Sequence, residues 1–331
     1  MADKRASGED SLIARYFKPI AIDPGAFGLT DDAAILKALG EDIVVTSDAI
    51  VEGVHYLASD PPDTIARKAL RTNLSDLAAK GATPAGFVLT LALRVADENW
   101  LEPFARGLGE DARSFACPLL GGDTVSTPGP VMISITAFGR VAEGRMVRRS
   151  GARPGDRVMV SGTIGDATLG LDILKNGVIA KALASDPKGS EMLVARYRVP
   201  EPRNTLATAV RDYASAAMDV SDGMAGDLAK LCAASGVTAV IDTLSIPASA
   251  TAAGLLSRGV VGLEALIAGG DDYEILCTVP EARADSFAAA ARQAGVAVTD
   301  IGTIMAGEGL PRFLDGEGSE LALTRLSHSH F

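Results

Sequence analysis

The sequence has few aromatic residues, only three histidines, and no long apolar segment. Phe, Trp and Tyr together make up 5% of 331 residues, too few for a surface that stacks on successive nucleobases. No apolar run reaches the roughly 20 residues of a membrane-spanning helix, and residues 1–10 lack the apolar core of a signal peptide. The 42 acidic residues outnumber the 31 basic ones, and this negative charge disfavours binding to nucleic acid or to an anionic membrane. We therefore expect a cytoplasmic protein without a nucleic-acid partner or a membrane.

Several catalytic and metal-binding motifs are also missing. The three cysteines (Cys117, Cys232 and Cys277) are widely spaced and form no CxxC, so we expect buried free thiols rather than a zinc knuckle or a redox pair. The sequence contains no GxxxxGK[ST] and no protein-kinase catalytic loop. It contains no HExxH and no GxSxG either. His55 is the only histidine outside the C-terminal tail, and its neighbours predict a loop.

Short apolar runs alternate with helical patterns along the chain, which predicts mixed α/β layers of the α+β class. The predicted strands are 43–46, 87–93, 131–138, 158–161, 239–241, 275–279 and 296–301. The predicted helices are 63–80, 98–115, 204–213, 225–234 and 281–294. The length suits two domains, and the turn-forming residues 149–156 indicate a boundary. We therefore predict domains at 1–148 and 149–331.

The most informative feature is the placement of aspartates beside apolar segments, where we expect them near strand ends, except for Asp76, which lies in an apolar part of the predicted helix 63–80. These aspartates are Asp31, Asp32, Asp48, Asp76, Asp123, Asp219, Asp222, Asp271 and Asp272. A carboxylate beside an apolar strand is costly to bury unless it is paired or bound to a metal. Hard oxygen ligands suit Mg²⁺, and adjacent glycines let a phosphate approach the backbone. The pattern favours a Mg²⁺–polyphosphate site, although a single Asp after Gly is often a turn or cap residue and Asp76 has Lys80 as an alternative partner.

The ordered set of motifs resembles the thiamine-monophosphate kinase family, within the aminoimidazole ribonucleotide synthetase-like superfamily. The resemblance covers nearly the whole chain. Its motifs, in order, are GEDSLI at 8–13, DDA at 31–33, TSD at 46–48, GVH at 53–55, NLSDLAAKGA at 73–82, GGDT at 121–124, RSGA at 149–152, DVSDG at 219–223 and GDDYE at 270–274. Each tetrapeptide alone is weak, and the ordered set is specific.

The resemblance implies the two-domain fold of that superfamily and transfer of the ATP γ-phosphoryl group to thiamine monophosphate. It implies a homodimer in which an N-terminal, dimerising domain binds ATP and Mg²⁺ and the C-terminal domain completes the nucleotide and substrate site. The implied ligands of several Mg²⁺ ions are Asp32, Thr46, Ser47, Asp48, Asp76, Asp123, Asp219 and Asp222. The implied ATP contacts are Gly122, Arg149 and Ser221. The implied contacts to thiamine monophosphate are His55, Asp271 and His328.

The chain departs from the family at two positions. Asp271 stands where the family usually has Glu, one methylene longer, and His328 stands where an aromatic residue is usual near the C-terminus. One alternative is another ATP-dependent synthetase of the same superfamily. A second is a non-catalytic sensor of thiamine phosphate or nucleotide.

Overall fold

The structure, a computed structural model, describes residues 12–24, 26, 38 and 40–327. These residues form two compact units. The first unit extends to Leu77 and includes Thr83–Gly144, whereas the second comprises Ala78–Ala82 and continues from Arg145. No helix in the described part of the chain is both long and apolar enough to cross a membrane.

The first unit contains a four-stranded sheet in the order β1-β4-β2-β3. Its strands are β1 (Glu41–Val51), β2 (Thr83–Leu93), β3 (Leu119–Ser126) and β4 (Met132–Ala142). β4 pairs antiparallel with both β1 and β2, and β3 lies parallel to β2 at the edge. Two helical turns, Ile13–Phe17 and Lys18–Ile20, precede the sheet. Its long helices are α1 (Pro62–Ala79) and α2 (Glu98–Ser114).

Alternation along the strands gives this sheet one buried and one open face, as expected for an antiparallel arrangement. Ile133, Ile135 and Ala137 of β4 are at most 1% exposed, whereas the intervening residues are partly exposed. An ion-pair network joins the two helices, because Asp111 of α2 accepts hydrogen bonds from Arg67 and Arg71 of α1. This network holds the turns of α1 that contain Arg67 and Arg71 against α2.

The second unit is built on a six-stranded sheet in the order β10-β7-β9-β5-β8-β6. Its strands are β5 (Arg157–Ser161), β6 (Ala216–Asp219), β7 (Val237–Asp242), β8 (Ile275–Val279), β9 (Val298–Ala306) and β10 (Arg312–Leu314). Its helices are α3 (Asp166–Leu174), α4 (Val178–Ala182), α5 (Pro187–Arg198), α6 (Ala207–Tyr213), α7 (Met224–Ser235), α8 (Ala250–Ser257), α9 (Leu263–Ile267) and α10 (Ala284–Gln293).

Both faces of this second sheet are covered. Val158 and Val160 of β5 pack into one apolar cluster, whereas Met159 between them packs into another. All five residues of β8 are buried, which explains why its sequence is a continuous apolar run without alternation. The three cysteines are free and buried, as predicted, and burial raises the pKa of the Cys232 thiol to about 11.

The prediction that Asp48 and Asp123 follow the ends of strands is wrong. Asp48 lies inside β1, where it pairs with Ile135, and Asp123 lies inside β3 beside Thr90. β1 continues past its apolar part because its backbone stays in register with β4 as far as Val51. Polar side chains on a strand with one open face do not interrupt the ladder.

Candidate active site

In the first unit, β1 and α1 bring together three of the predicted metal ligands. Thr46 Oγ1 donates a hydrogen bond of 2.5 Å to Asp76 Oδ2. Two residues further along the same strand face, the Asp48 N–H donates to Asn73 Oδ1 at 3.1 Å. Asn73 is fully buried and its amide nitrogen donates to Ala69 O at 3.1 Å within α1. The side chains of Thr46 and Asp48 therefore lie beside Asp76 on the helix-facing side of β1.

Ser47 and Asp123 lie on the open side of the same sheet. Ser47 Oγ lies 2.9 Å from Thr136 Oγ1 of β4. Asp123 is exposed on β3, in the row that runs through Thr90 and Ser134 to Ala49. Three strand spacings of about 4.8 Å separate β1 from β3, roughly 14 Å across the sheet. Within this unit the sheet therefore separates Asp123 from Asp48 and Asp76.

Gly122 lies where the backbones of β3 and β2 approach too closely for a side chain. A Cβ at this position would lie 1.9 Å from Leu89 O, and the residue has a φ of +157°. A side chain here would therefore push β3 away from β2. The family resemblance implies an ATP contact at Gly122, and the structure adds this separate reason for glycine.

His55 lies in the tight turn after β1. Its Nδ1 accepts a hydrogen bond of 3.0 Å from the Val51 N–H, so the neutral ring carries its proton on Nε2. Gly53 adopts the positive φ of +82° that the turn requires. Tyr56 is buried at the end of the turn and donates through its hydroxyl to Val131 O at 3.1 Å. This arrangement makes Nε2–H the donor group of the imidazole ring.

In the second unit, the DVSDG and GDDYE motifs are adjacent because β6 pairs with β8. Asp219 ends β6 opposite Ile275, the first residue of β8. Beyond the strands, Tyr273 N–H donates to Val220 O and Asp271 N–H donates to Ser221 O, each at 2.8 Å. The structure thereby places the predicted nucleotide contact Ser221 against the predicted substrate contact Asp271.

The Ser221–Asp222 backbone is held by a residue that sequence reasoning missed. Asp227 of α7 accepts the N–H groups of Ser221 and Asp222 at 3.0 Å each. Burial raises the pKa of the Asp227 carboxyl, and Lys230 opposes that effect. Lys230 Nζ lies 2.6 Å from Asp222 Oδ2 and 2.9 Å from Asp227 Oδ1. These two N–H groups are therefore bonded within the protein and fix the backbone that carries the Ser221 side chain.

The loop that carries Asp271 is held by two buried acids whose roles the sequence did not predict. Asp272 is fully buried and accepts the Gly165 N–H at 2.8 Å, and burial raises the pKa of its carboxyl. Glu274 is also fully buried and accepts hydrogen bonds from Arg196, Arg203 and Ser161. The GDDYE pattern itself carried the signal, since carboxylates beside the apolar strand β8 require partners.

Asp271 has an uncommon backbone conformation, with a φ of +72°. Aspartate is among the few residues with a side chain that tolerate this region. The Tyr273 hydroxyl donates to its carboxylate at 3.3 Å. The loop therefore holds Asp271 in a defined orientation.

Three predicted site residues remain: Arg149, Asp32 and His328. Arg149 is exposed, and its carbonyl accepts from Ser235 Oγ at 3.1 Å. Asp32 and His328 lie outside the described residues. Among residues 12–24, 26, 38 and 40–327, no three His, Cys, Asp or Glu side chains are grouped to hold a metal ion.

Comparison with known proteins places this chain in a family. The model of the AIR synthase related protein N-terminal domain matches residues 30–141, and that of the C-terminal domain matches residues 153–314. A thiamine-monophosphate kinase of Caulobacter vibrioides is 45% identical, over 96% of this chain and 89% of the relative. The enzyme of Escherichia coli K12 is 39% identical over 98% and 99% of the two chains. The chain belongs to the thiamine-monophosphate kinase family.

Solved structures agree with this family assignment. The crystal structure of thiamine-monophosphate kinase from Stenotrophomonas maltophilia is 35% identical with a TM-score of 0.80, over 97% of this chain and 99% of that one. A structure described as AaThiL complexed with AMPPCP and TMP is 28% identical with a TM-score of 0.75, over 92% and 97%. The hydrogenase maturation protein HypE from E. coli shares the fold at 20% identity and a TM-score of 0.79, over 97% and 98%. The predicted α+β fold and its superfamily are confirmed.

Proposed function

We propose that this protein transfers the γ-phosphoryl group of ATP to thiamine monophosphate, giving thiamine diphosphate and ADP. The observation that carries the proposal is the Thr46–Asp48–Asp76 cluster on β1 and α1, in a chain whose full-length relatives are thiamine-monophosphate kinases. The relative described as bound to AMPPCP and TMP supports the same pair of substrates. We also propose a cytoplasmic location.

The acceptor explains why the site needs no general base. A phosphate monoester has a second pKa near 6, so its oxygen is largely ionised at neutral pH. The main task is to bring two polyanions into line and neutralise their charge. His55 would donate Nε2–H to the acceptor phosphate, and the exposed guanidinium of Arg149 would contact ATP. Asp271 would contact thiamine monophosphate across the loop from Ser221, and His328 is proposed as a further substrate contact.

The donor set suits Mg²⁺, which prefers hard oxygen ligands. The Thr46–Asp76 contact joins a hydroxyl to a carboxylate, and the imidazole of His55 sits in the turn beyond β1. The proposed ligands are Asp32, Thr46, Ser47, Asp48, Asp76, Asp123, Asp219 and Asp222. These residues would hold Mg²⁺, which would supply positive charge against the phosphates, and Thr46 and Asn73 hold Asp76 and the Asp48 backbone in place.

The open face of the four-stranded sheet supports the proposed homodimer. Val45 is 58% exposed and Val125 is 43% exposed, and the side chains of Val88 and Phe138 lie between them, partly exposed, on the same face. An apolar sheet face of this kind is typical of an interface. A second copy is the occupant we propose, related by a two-fold axis along the strands. This operation lays β1 of one copy beside β3 of the other and brings Asp123 of the partner opposite Ser47, at the edge strand that also carries Asp48.

The direct test is turnover by the purified protein. Incubation with ATP, thiamine monophosphate and Mg²⁺ is expected to give thiamine diphosphate and ADP in equal amounts, as measured by chromatography. Excess EDTA is expected to abolish both products. ADP release without thiamine diphosphate, on a panel of other acceptors, would instead identify a different synthetase of the superfamily. Tight binding without turnover would identify a sensor.

Asp271→Glu is expected to shift affinity and stability in opposite directions. The extra methylene lengthens the reach of the carboxylate, so the KM for thiamine monophosphate is expected to fall severalfold. Glutamate is less suited to the positive φ of this position, so unfolding free energy is expected to fall by about 1 kcal/mol. Steady-state kinetics and thermal melting measure the two effects. Asp271→Ala is the control, and an equal KM in wild type and Asp271→Glu would show that reach is not limiting.

A further inference from the structure

Lys68 is an uncommon residue in the first unit because its charged side chain is almost fully buried. It is 1% exposed, and its Nζ donates a hydrogen bond of 2.9 Å to the carbonyl oxygen of His55. A buried ammonium is costly and is normally retained only where its contacts compensate. Because the Lys68 ammonium bonds a carbonyl oxygen of the His55 turn, we expect this contact to hold the turn in place.

The His55 turn is held at two points. The imidazole Nδ1 accepts the Val51 N–H, which fixes the ring and leaves the proton on Nε2. Lys68 holds the carbonyl of the same residue from α1. Loss of the Lys68 contact would remove the bond between this turn and α1 that is formed at the His55 carbonyl.

Lys68 belongs to a series of contacts along one helix. Asp76, Asn73 and Lys68 follow one another towards the start of α1, and they bond Thr46, Asp48 and His55 in order along β1 and its turn. Eight residues separate Lys68 from Asp76, about 12 Å of helix at 1.5 Å per residue. A single rigid helix therefore sets the distance between the His55 turn and the acidic cluster.

We propose that Lys68 is a positioning residue that holds the His55 turn at a fixed distance from the Thr46–Asp48–Asp76 cluster, and so places the acceptor phosphate for transfer. The inference rests on the proposed function, because it takes His55 as the contact to thiamine monophosphate. Lys68 acts on the substrate through His55 and not by direct contact.

Lys68→Met tests the proposal by separating the two substrates. The KM for thiamine monophosphate is expected to rise about tenfold, the effect of losing one hydrogen bond from a charged donor. The KM for ATP is expected to stay within twofold. Lys68→Arg keeps the charge and is expected to recover part of the affinity. If Lys68→Met does not fold, Lys68→Gln decides, because its shorter, neutral side chain loses the charged donor, and an unchanged KM for both substrates in that variant would overturn the proposal.

Arg71→Met is the matched control on the same helix. Arg71 pairs with buried Asp111, so its loss is expected to lower thermal stability without changing either KM. If this variant raised the KM for thiamine monophosphate as Lys68→Met does, the effect would be general helix destabilisation and the proposal would fail.

His55→Ala distinguishes failure of the inference from failure of the proposed function. In the double variant Lys68→Met/His55→Ala, the KM for thiamine monophosphate is expected to equal that of His55→Ala alone. Additive effects would overturn the role of Lys68 while keeping His55 as a substrate contact. No effect of His55→Ala would remove His55 from the site. Nitrogen-15 NMR of the imidazole, assigned with His55→Ala, is expected to show a single Nε2–H tautomer in wild type and a broadened signal in Lys68→Met.

Discussion

Asp76→Asn is expected to reduce kcat about a thousand-fold while the protein stays folded. The Asp76 carboxylate accepts from Thr46 and lies on the helix face that bonds the Asp48 backbone through Asn73. Asparagine keeps the shape and one acceptor oxygen but removes the negative charge that a divalent cation requires. A thousand-fold loss corresponds to about 4 kcal/mol of transition-state stabilisation. Thermal stability is expected to be unchanged or higher, because repulsion between neighbouring carboxylates is relieved.

Asp111→Asn is the matched control, because it makes the same chemical change at a buried acid of the same unit. Asp111 is 1% exposed and pairs with Arg67 and Arg71. Removing one partner of a buried ion pair is expected to cost about 3 kcal/mol of stability, with kcat nearly unchanged at a temperature where the variant is folded. Kinetics and melting curves on both variants test the assignment. Full activity in Asp76→Asn would exclude Asp76 as a ligand.

Local sequence predicted the elements whose signal is local. The run Ile275–Val279 was predicted as a strand and is β8 with the same bounds, since a strand buried on both faces is apolar throughout. β3 was missed because Gly121, Gly122 and Asp123 interrupt its apolar start. It forms through parallel pairing with β2, a long-range contact with no local signature.

The candidate site likewise contains residues that a sequence motif predicts and residues whose roles depend on long-range contacts. Thr46 and Asp76 were both assigned to the metal site from motifs 30 residues apart, and the structure joins them directly. Asn73 lies within a quoted motif, but its role follows only from its bond to the Asp48 backbone. Lys68 and Asp227 carry no motif signal that distinguishes them from ordinary helix residues. Their roles depend on which loop packs against each helix, which sequence spacing alone does not specify.

Asp123 and Asp48 provide the test of the proposed homodimer. They lie on opposite faces of one sheet and about 14 Å apart across it, so they cannot ligate one ion within a single copy. The proposed two-fold axis preserves height along the strands. It therefore brings Asp123 of one copy, in the row of Ala49, opposite Ser47 on the open side of the other copy's edge strand β1, whose helix-facing side carries Asp48. Each active site would then combine ligands from both sides of this edge strand, Ser47 and Asp48 of one copy, with Asp123 from its partner.

Mixing two inactive variants is expected to restore activity. Asp48→Asn and Asp123→Asn are each expected to be inactive as pure dimers. In a mixed dimer, one site receives both changes and the other receives neither. After unfolding and refolding an equal mixture, half of the dimers are mixed and half of their sites are intact, so about one quarter of wild-type activity is expected for random two-fold assembly. A mixture of two variants of the same residue, Asp48→Asn and Asp48→Ala, is the control and is expected to stay inactive. If both residues came from one copy, no site in any dimer would be intact, and the absence of recovered activity would refute the shared site.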